Sequence, residues 1–273
     1  MRTLALALLL LLAAAGCSGK SDPTDTADTG TSTGTQSGPT GQDPGTAPSA
    51  DPAAGPRIVL KECKNFGAVF PVPDAAAQAL IPEGFRTVPA AGPPAGATLY
   101  VMVVNCQEAS FGGVSVGDAT FVYEELAVVP DDAHKVAGIS DYTIPVMVAV
   151  NPEALADAME ARAWAAPPGR STSWTDLSEG TLSGGGSAKG DGFTLTAHAA
   201  GSPTALPSGS FVVFGVKDRQ VVTTTVGTSE GGQALSAAAL LQVEGSPPLL
   251  EQATPAARGF SVSGFALTFT PRS

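Results

Sequence analysis

Charge and aromatic rings are both scarce in this 273-residue chain. Only 14% of its residues are charged and 6% aromatic, with two histidines, two tryptophans and three cysteines. The basic residues form no cluster, and 14 Lys and Arg against 25 Asp and Glu leave a formal charge of −11. That balance argues against binding to phosphate backbones or to anionic lipid by charge, so no nucleic-acid partner is expected. Two histidines and three scattered cysteines supply no spacing that gathers three or four ligands, so neither a metal site nor a cofactor is expected. Long apolar runs are missing too. The longest, Leu4 to Ala13, falls several residues short of the roughly 20 that span a bilayer.

What is present at the N-terminus is a secretory signal. Arg2 supplies the positive charge, Leu4 to Ala13 the apolar core, and Ala14, Ala15 and Gly16 a row of small residues. Ala14-Ala15-Gly16-Cys17 resembles the lipobox of bacterial lipoproteins, although Ala14 stands where Leu is more usual. The resemblance implies a signal peptide over 1–16, a diacylglycerol on the Cys17 thiol, and fatty acyl chains such as palmitate on the new N-terminus. Membrane lipid is then a partner, and several acyl chains hold far longer than one. It also implies an extracytoplasmic, lipid-anchored place in the cell envelope. In a Gram-negative host, Ser18 after the cysteine resembles the outer-membrane pattern. An ordinary signal peptide followed by a chance cysteine is the alternative.

Excess glycine and proline, 32 and 23 residues, belongs to turns and unstructured stretches. From Ser18 to Pro56 the chain has no Leu, Ile, Val, Phe, Tyr or Trp. Such a segment buries too little apolar surface to offset the entropy of ordering. Residues 17–56 are therefore expected to be a lipidated cysteine and a flexible tether, reaching roughly 35 Å. Residues 57–273 are expected to form one domain. Its two cysteines, Cys63 and Cys106, form an even pair in an exported domain and predict a disulfide, two buried thiols being the alternative.

Runs rich in β-branched and aromatic residues predict strands over 97–106, 119–129, 142–150, 192–199 and 259–270. Two apolar runs about Lys217, Asp218 and Arg219 predict a hairpin. Asn151 as N-cap, Pro152 in the first turn and an apolar stripe through Leu155, Ala158, Met159 and Ala163 predict a helix over 152–164. A shorter helix is expected over 74–80, and 233–244 reads as either type. The fold class is α+β: mainly antiparallel β, a barrel- or cone-like sheet with two or three short helices.

The succession "CKNFGAVFPVPDAAAQALIPEGF", then an apolar strand ending at Cys106, then "YTIPVMVAVNPEALADAME", resembles the acetoacetate decarboxylase-like barrel. The resemblance implies antiparallel strands coned around a small apolar cavity. In the enzymes of that family a lysine, its pKa lowered by a neighbouring lysine, forms a Schiff base with substrate. This chain has no adjacent lysine pair. Lys217 falls in a turn, Lys189 in "GGGSAKGDG" and Lys64 beside the expected disulfide.

Three further signals carry alternatives. "GVSVG" fits the Gly-x-Ser-x-Gly pattern of a nucleophilic Ser115, but a strand follows it, and a glycine-rich hairpin turn accounts for it equally. His134 in a loop near Asp131 and Asp132, and His198 on a strand, read as solvated or hydrogen-bonded side chains. In "FVYEELAVV" both alternating faces are apolar, so one of Glu124 and Glu125 faces inward if the strand is central. An interior carboxylate marks a possible cavity, whereas an edge strand would release both to water. The sequence therefore leaves three readings: a binding module for a small apolar or carboxylate-bearing ligand, a decarboxylase-like lyase or Ser115 hydrolase, and an envelope scaffold. It favours the first, without catalytic residues.

Overall fold

The computed structural model describes residues 56–91, 95–160, 169, 171–177, 180–217, 220–229, 231–253 and 256–272. The signal peptide, Cys17 and the tether up to residue 55 lie outside the described residues. So does the tip of the predicted hairpin at Asp218 and Arg219.

Twelve strands form one continuous sheet. In chain order they are β1 (Ile58–Val72), β2 (Phe85–Thr87), β3 (Ala97–Phe111), β4 (Val114–Pro130), β5 (Tyr142–Asn151), β6 (Ser171–Asp176), β7 (Thr181–Ala188), β8 (Asp191–Ala205), β9 (Gly209–Lys217), β10 (Gln220–Thr228), β11 (Gln233–Glu244) and β12 (Ala256–Arg272). Two helices, α1 (Asp74–Gln78) and α2 (Glu153–Glu160), and a 3₁₀ turn at Leu250–Gln252 complete the described elements. Every predicted strand is present, the segment open to either type is β11, and the hairpin is β9–β10. Asn151 does not cap α2. It closes β5 opposite Thr120, and the Pro152 carbonyl accepts the first helical N–H bonds, from Leu155 and Ala156. Ala163 lies outside the described residues.

Strands β1, β3, β4, β5, β9, β10 and β12 close into a seven-stranded ring, because β12 pairs with β10 and also returns to β1. All its pairings are antiparallel except β5–β9, which join only at Tyr142 with Val212 and Thr143 with Val213. The long β12 also carries β11 on its N-terminal half, and β8, β7 and β6 follow as a wing. Closure gives every ring strand two neighbours, and β6 is left as the edge of the wing.

Apolar residues on both sides of the ring strands produce two cores. One draws on every ring strand, with Leu60, Val104, Phe121, Val150, Val213, Val226 and Phe269 among its members, and α2 adds Leu155, Ala156 and Met159. That core lies inside the barrel. The other joins the outer faces of β1, β3, β4, β5 and β9 to β8, β11 and α1. The wing therefore folds back over the barrel wall. Gly184 and Gly186, on either side of Gly185 in β7, allow the close approach. A Cβ on Gly184 would stand 3.0 Å from Val103 Cγ1, and one on Gly186 3.0 Å from the Ala149 Cβ and 3.2 Å from Val122 Cγ2.

Cys63 and Cys106 form the expected disulfide, directly opposite each other on β1 and β3 with Cα atoms 4.0 Å apart. Both are fully buried in the barrel core. For a separation of 43 residues, chain entropy gives about 4 kcal/mol of stabilisation.

Candidate functional site

Strand β4 is central, flanked by β3 and β5 and at its end by β2. Its side chains alternate between the two cores. Ala119, Phe121 and Tyr123 belong to the barrel core, and Val122, Leu126 and Val128 to the core beneath the wing. Glu125 therefore points into the barrel and Glu124 points outward against the wing. Both are buried, at 3% and 2% exposure. The sequence predicted one interior carboxylate, and the second is buried because the wing covers the other face. The two do not share a site.

Around Glu125 the inward positions are polar. Tyr100 lies directly across on β3, and Tyr123 is two residues back on β4. Thr143 on β5 is one step further along, paired through Val213 to Thr224 on β10. Directly paired residues share a face, so these side chains make a belt around the inside of the barrel. Asn65, opposite Val104, faces the same interior from β1. Below the belt Phe121 stacks on Tyr123 and Phe269, at ring separations of 5.8 and 6.2 Å.

The belt is under-satisfied. The Tyr123 hydroxyl, Thr143 Oγ1 and Asn65 Oδ1 are buried without an aligned hydrogen-bond partner. Such groups are expensive to leave unmade, so native structures retain few of them. Burial pushes the Glu125 carboxyl up to about 7, against the nearby Thr143 hydroxyl, which pulls it down. Tyr100 is pushed up to about 12 by burial first, then by the charges of Asp141 and Glu125. Tyr123 is raised by burial and by Glu125. On the other face, Glu124 is raised to about 8 by burial and by Asp191, and its Oε1 has no partner.

No basic side chain joins the belt among the described residues. Every described lysine and arginine reaches the surface. Lys61 pairs with Glu108 at 3.0 Å, Lys64 with Asp176 at 2.6 Å and Lys135 with Asp132 at 2.6 Å. Lys189 sits at the β7–β8 turn with φ 56°. Lys20 and the side chain of Lys217 lie outside the described residues.

The remaining candidates are dispersed. Ser115 is exposed at the start of β4, just after the Gly112–Gly113 turn, and the strand continues past it. No helix follows to make a nucleophile elbow. His134 bonds Asp131 at 2.7 Å and lies against the Phe85 ring, in a loop pinned by the Tyr142 hydroxyl. His198 on β8 bonds Thr181 at 2.8 Å. Among the described residues no three His, Cys, Asp or Glu side chains converge on a metal position. Two surface clefts lie on the wing. One, of about 520 Å³, is lined by Leu241, Val243, Gly245, Leu250, Glu251 and Ala253. A smaller one runs over β6 to β8. Neither touches Glu124 or Glu125. The belt escaped sequence reading because it joins residues 100, 123, 125, 143 and 224, and only strand register brings them together.

No protein-family model matches this sequence, and no curated protein matches it. Solved structures do match. An acetoacetate decarboxylase-like enzyme from Sphingomonas wittichii RW1 superposes with a TM-score of 0.54 and 12% identity, over 80% of this chain and 91% of that one. The acetoacetate decarboxylase of Legionella pneumophila gives 0.55 and 12%, over 81% and 88%. The enduracididine biosynthesis enzyme MppR, solved with the condensation product of pyruvate and imidazole 4-carboxaldehyde, gives 0.54 and 12%, over 87% and 97%. At such identities the likeness is one of fold, and the fold of this chain is the acetoacetate decarboxylase-like barrel with its wing.

Proposed function

We propose that this protein is a lipid-anchored lipoprotein of the cell envelope whose barrel binds a small molecule without transforming it. Cys17 carries the acyl chains, residues 18–56 are the tether, and the barrel is held clear of the bilayer. One observation carries the binding role: the inward belt of Tyr100, Tyr123, Glu125 and Thr143, in which the Tyr123 hydroxyl is buried without a partner. A scaffold needs no such interior. Polar groups facing apolar Phe121 and Phe269 suit a ligand with an apolar body and one polar end. Thermal-shift and calorimetric measurements with a panel of small amines, acids and alcohols test this. Saturable binding of one class, lost in Glu125→Gln, supports the reading. A panel with no binder, or with binders indifferent to Glu125, overturns it.

The shared fold favours a second reading, a lyase that forms a Schiff base. Against it stands the surface position of every described lysine. Borohydride reduction in the presence of a β-keto acid, followed by peptide mass mapping, separates the two readings. A reduced adduct on any lysine would establish the enzyme.

A further inference from the structure

The outer face of the wing differs in chemistry from an ordinary solvent face. Phe193, Leu195 and Ala197 of β8 and Leu241 of β11 point to the barrel, so the alternate positions of β6, β7, β8 and β11 point away from it. Register sets those positions in rows across the four strands, neighbours about 4.8 Å apart. One row is Glu244, Gly192, Ser187 and Ser171, and the next is Gln242, Thr194, Gly185 and Ser173. A third follows with Leu240, Thr196, Ser183 and Thr175. Exposed protein surface is where Lys, Arg, Glu and Asp normally gather. These three rows hold no lysine or arginine and one carboxylate, Glu244.

The hydroxyls of the face are not all equivalent. In the third row the Ser183 and Thr196 hydroxyls bond each other at 3.1 Å, and beyond it Thr181 bonds His198 at 2.8 Å. In the first two rows the side chains of Ser171, Ser187, Thr194 and Glu244 bond no described neighbour, and Ser173 reaches only the Gly185 carbonyl, at 3.4 Å. These five surround a cleft of about 120 Å³. Its floor is backbone, since a Cβ on Gly185 would strike the Phe193 carbonyl.

We infer that this face binds a neutral glycan chain, with one sugar unit seated over Gly185 among the Ser173, Ser187 and Thr194 hydroxyls and the Glu244 carboxylate. The cleft is well below the roughly 300 Å³ of a site that encloses a free small molecule. A chain that lies along the rows and places one unit in the cleft fits it. Serine and threonine hydroxyls donate and accept, as sugar hydroxyls do, and the carboxylate accepts from them. An acidic chain would meet Glu244 and a net charge of −11 with no base in the rows to receive it. A protein partner would look for the aromatic and arginine anchors of an interface centre, and the rows contain neither. The assignment does not depend on the barrel interior.

The test presents the full-length chain with maltohexaose, cellohexaose, mannohexaose and the hexamer of N-acetylglucosamine, with hexagalacturonate as the acidic comparator. Calorimetry should show saturable binding of at least one neutral hexasaccharide, at least tenfold tighter than its monosaccharide and unchanged between about 0.05 and 0.5 M salt. Thr194→Val keeps the branched side chain and removes the hydroxyl; combined with Glu244→Gln it should weaken binding at least tenfold. Ser173→Lys, which fills the cleft from an exposed position, should do the same. Melting of both variants confirms their fold. Glu108→Gln, which removes an exposed carboxylate paired with Lys61, should bind as the parent does. Binding of no neutral hexasaccharide, tighter binding of hexagalacturonate, or parental affinity in both cleft variants overturns the assignment. The barrel reading is decided separately, by Glu125→Gln with small ligands.

Discussion

At the scale of single residues, Glu124 and Glu125 set a pH dependence opposite to the usual one. Most native carboxylates are stabilised ionised and fail in acid. Here burial holds both above the ordinary carboxylate value, at about 8 and about 7. The folded state therefore binds more protons than the unfolded chain between pH 4.5 and these values. Their contribution is complete below the ordinary carboxylate pKa and is lost as pH rises to about 7 for Glu125 and 8 for Glu124. By the linkage relation the loss is on the order of 3 kcal/mol or more for each. Urea unfolding at pH 5.0 and 8.5 should show the decline, and Glu124→Gln with Glu125→Gln should remove most of it. A parent whose stability is flat or rises over that range would show that the carboxyls find charge partners. The disulfide acts at the same scale. Replacing Cys63 and Cys106 by alanine should cost about 2–5 kcal/mol in denaturant melts.

At the scale of elements, β7 is the least legible part of the sequence and among the most constrained in space. "TLSGGGSA" has three glycines, which intrinsic preference keeps out of strands. The residues form a strand because β6 and β8 pair with both edges and the glycines let the wing touch the barrel wall. A valine at 186 would meet Ala149 and Val122 at the distances already noted, and overpacking of this kind costs about 1–3 kcal/mol. Gly186→Val should lower the melting temperature by several degrees. Gly227→Ala makes a steric control, since its Cβ would meet nothing within 4 Å and its φ lies outside the left-handed region. Strand β11 shows the same override. "QALSAAALLQVE" is ambiguous by composition, and pairing between β12 and β8 settles it as a strand with alternating burial.

At the scale of the whole molecule, the barrel and the expected anchor are joined by a segment with no apolar side chain large enough to pack. The arrangement predicts that Cys17→Ser shifts the protein from the membrane fraction to the soluble envelope fraction in a lipoprotein-processing host. Barrel stability, measured by melting, should be unchanged. Mass spectrometry of the parent N-terminus should find an acylated cysteine, and an unmodified thiol there would remove the anchor.

Alone, the sequence determined local facts: that the runs rich in β-branched and aromatic residues are strands, where the paired cysteines lie, that β4 is apolar on both faces, and that residues 18–56 hold too few apolar side chains to build a core. These follow from side-chain chemistry over a few neighbouring positions. Tertiary structure decided the rest. The register of seven strands placed Tyr100 opposite Glu125 and brought Thr143 and Thr224 to the same belt. The return of the wing buried Glu124 as well, and ring closure turned one face of β4 into an interior. Those outcomes depend on pairings between residues tens to hundreds of positions apart, and no local pattern encodes which strand edge meets which.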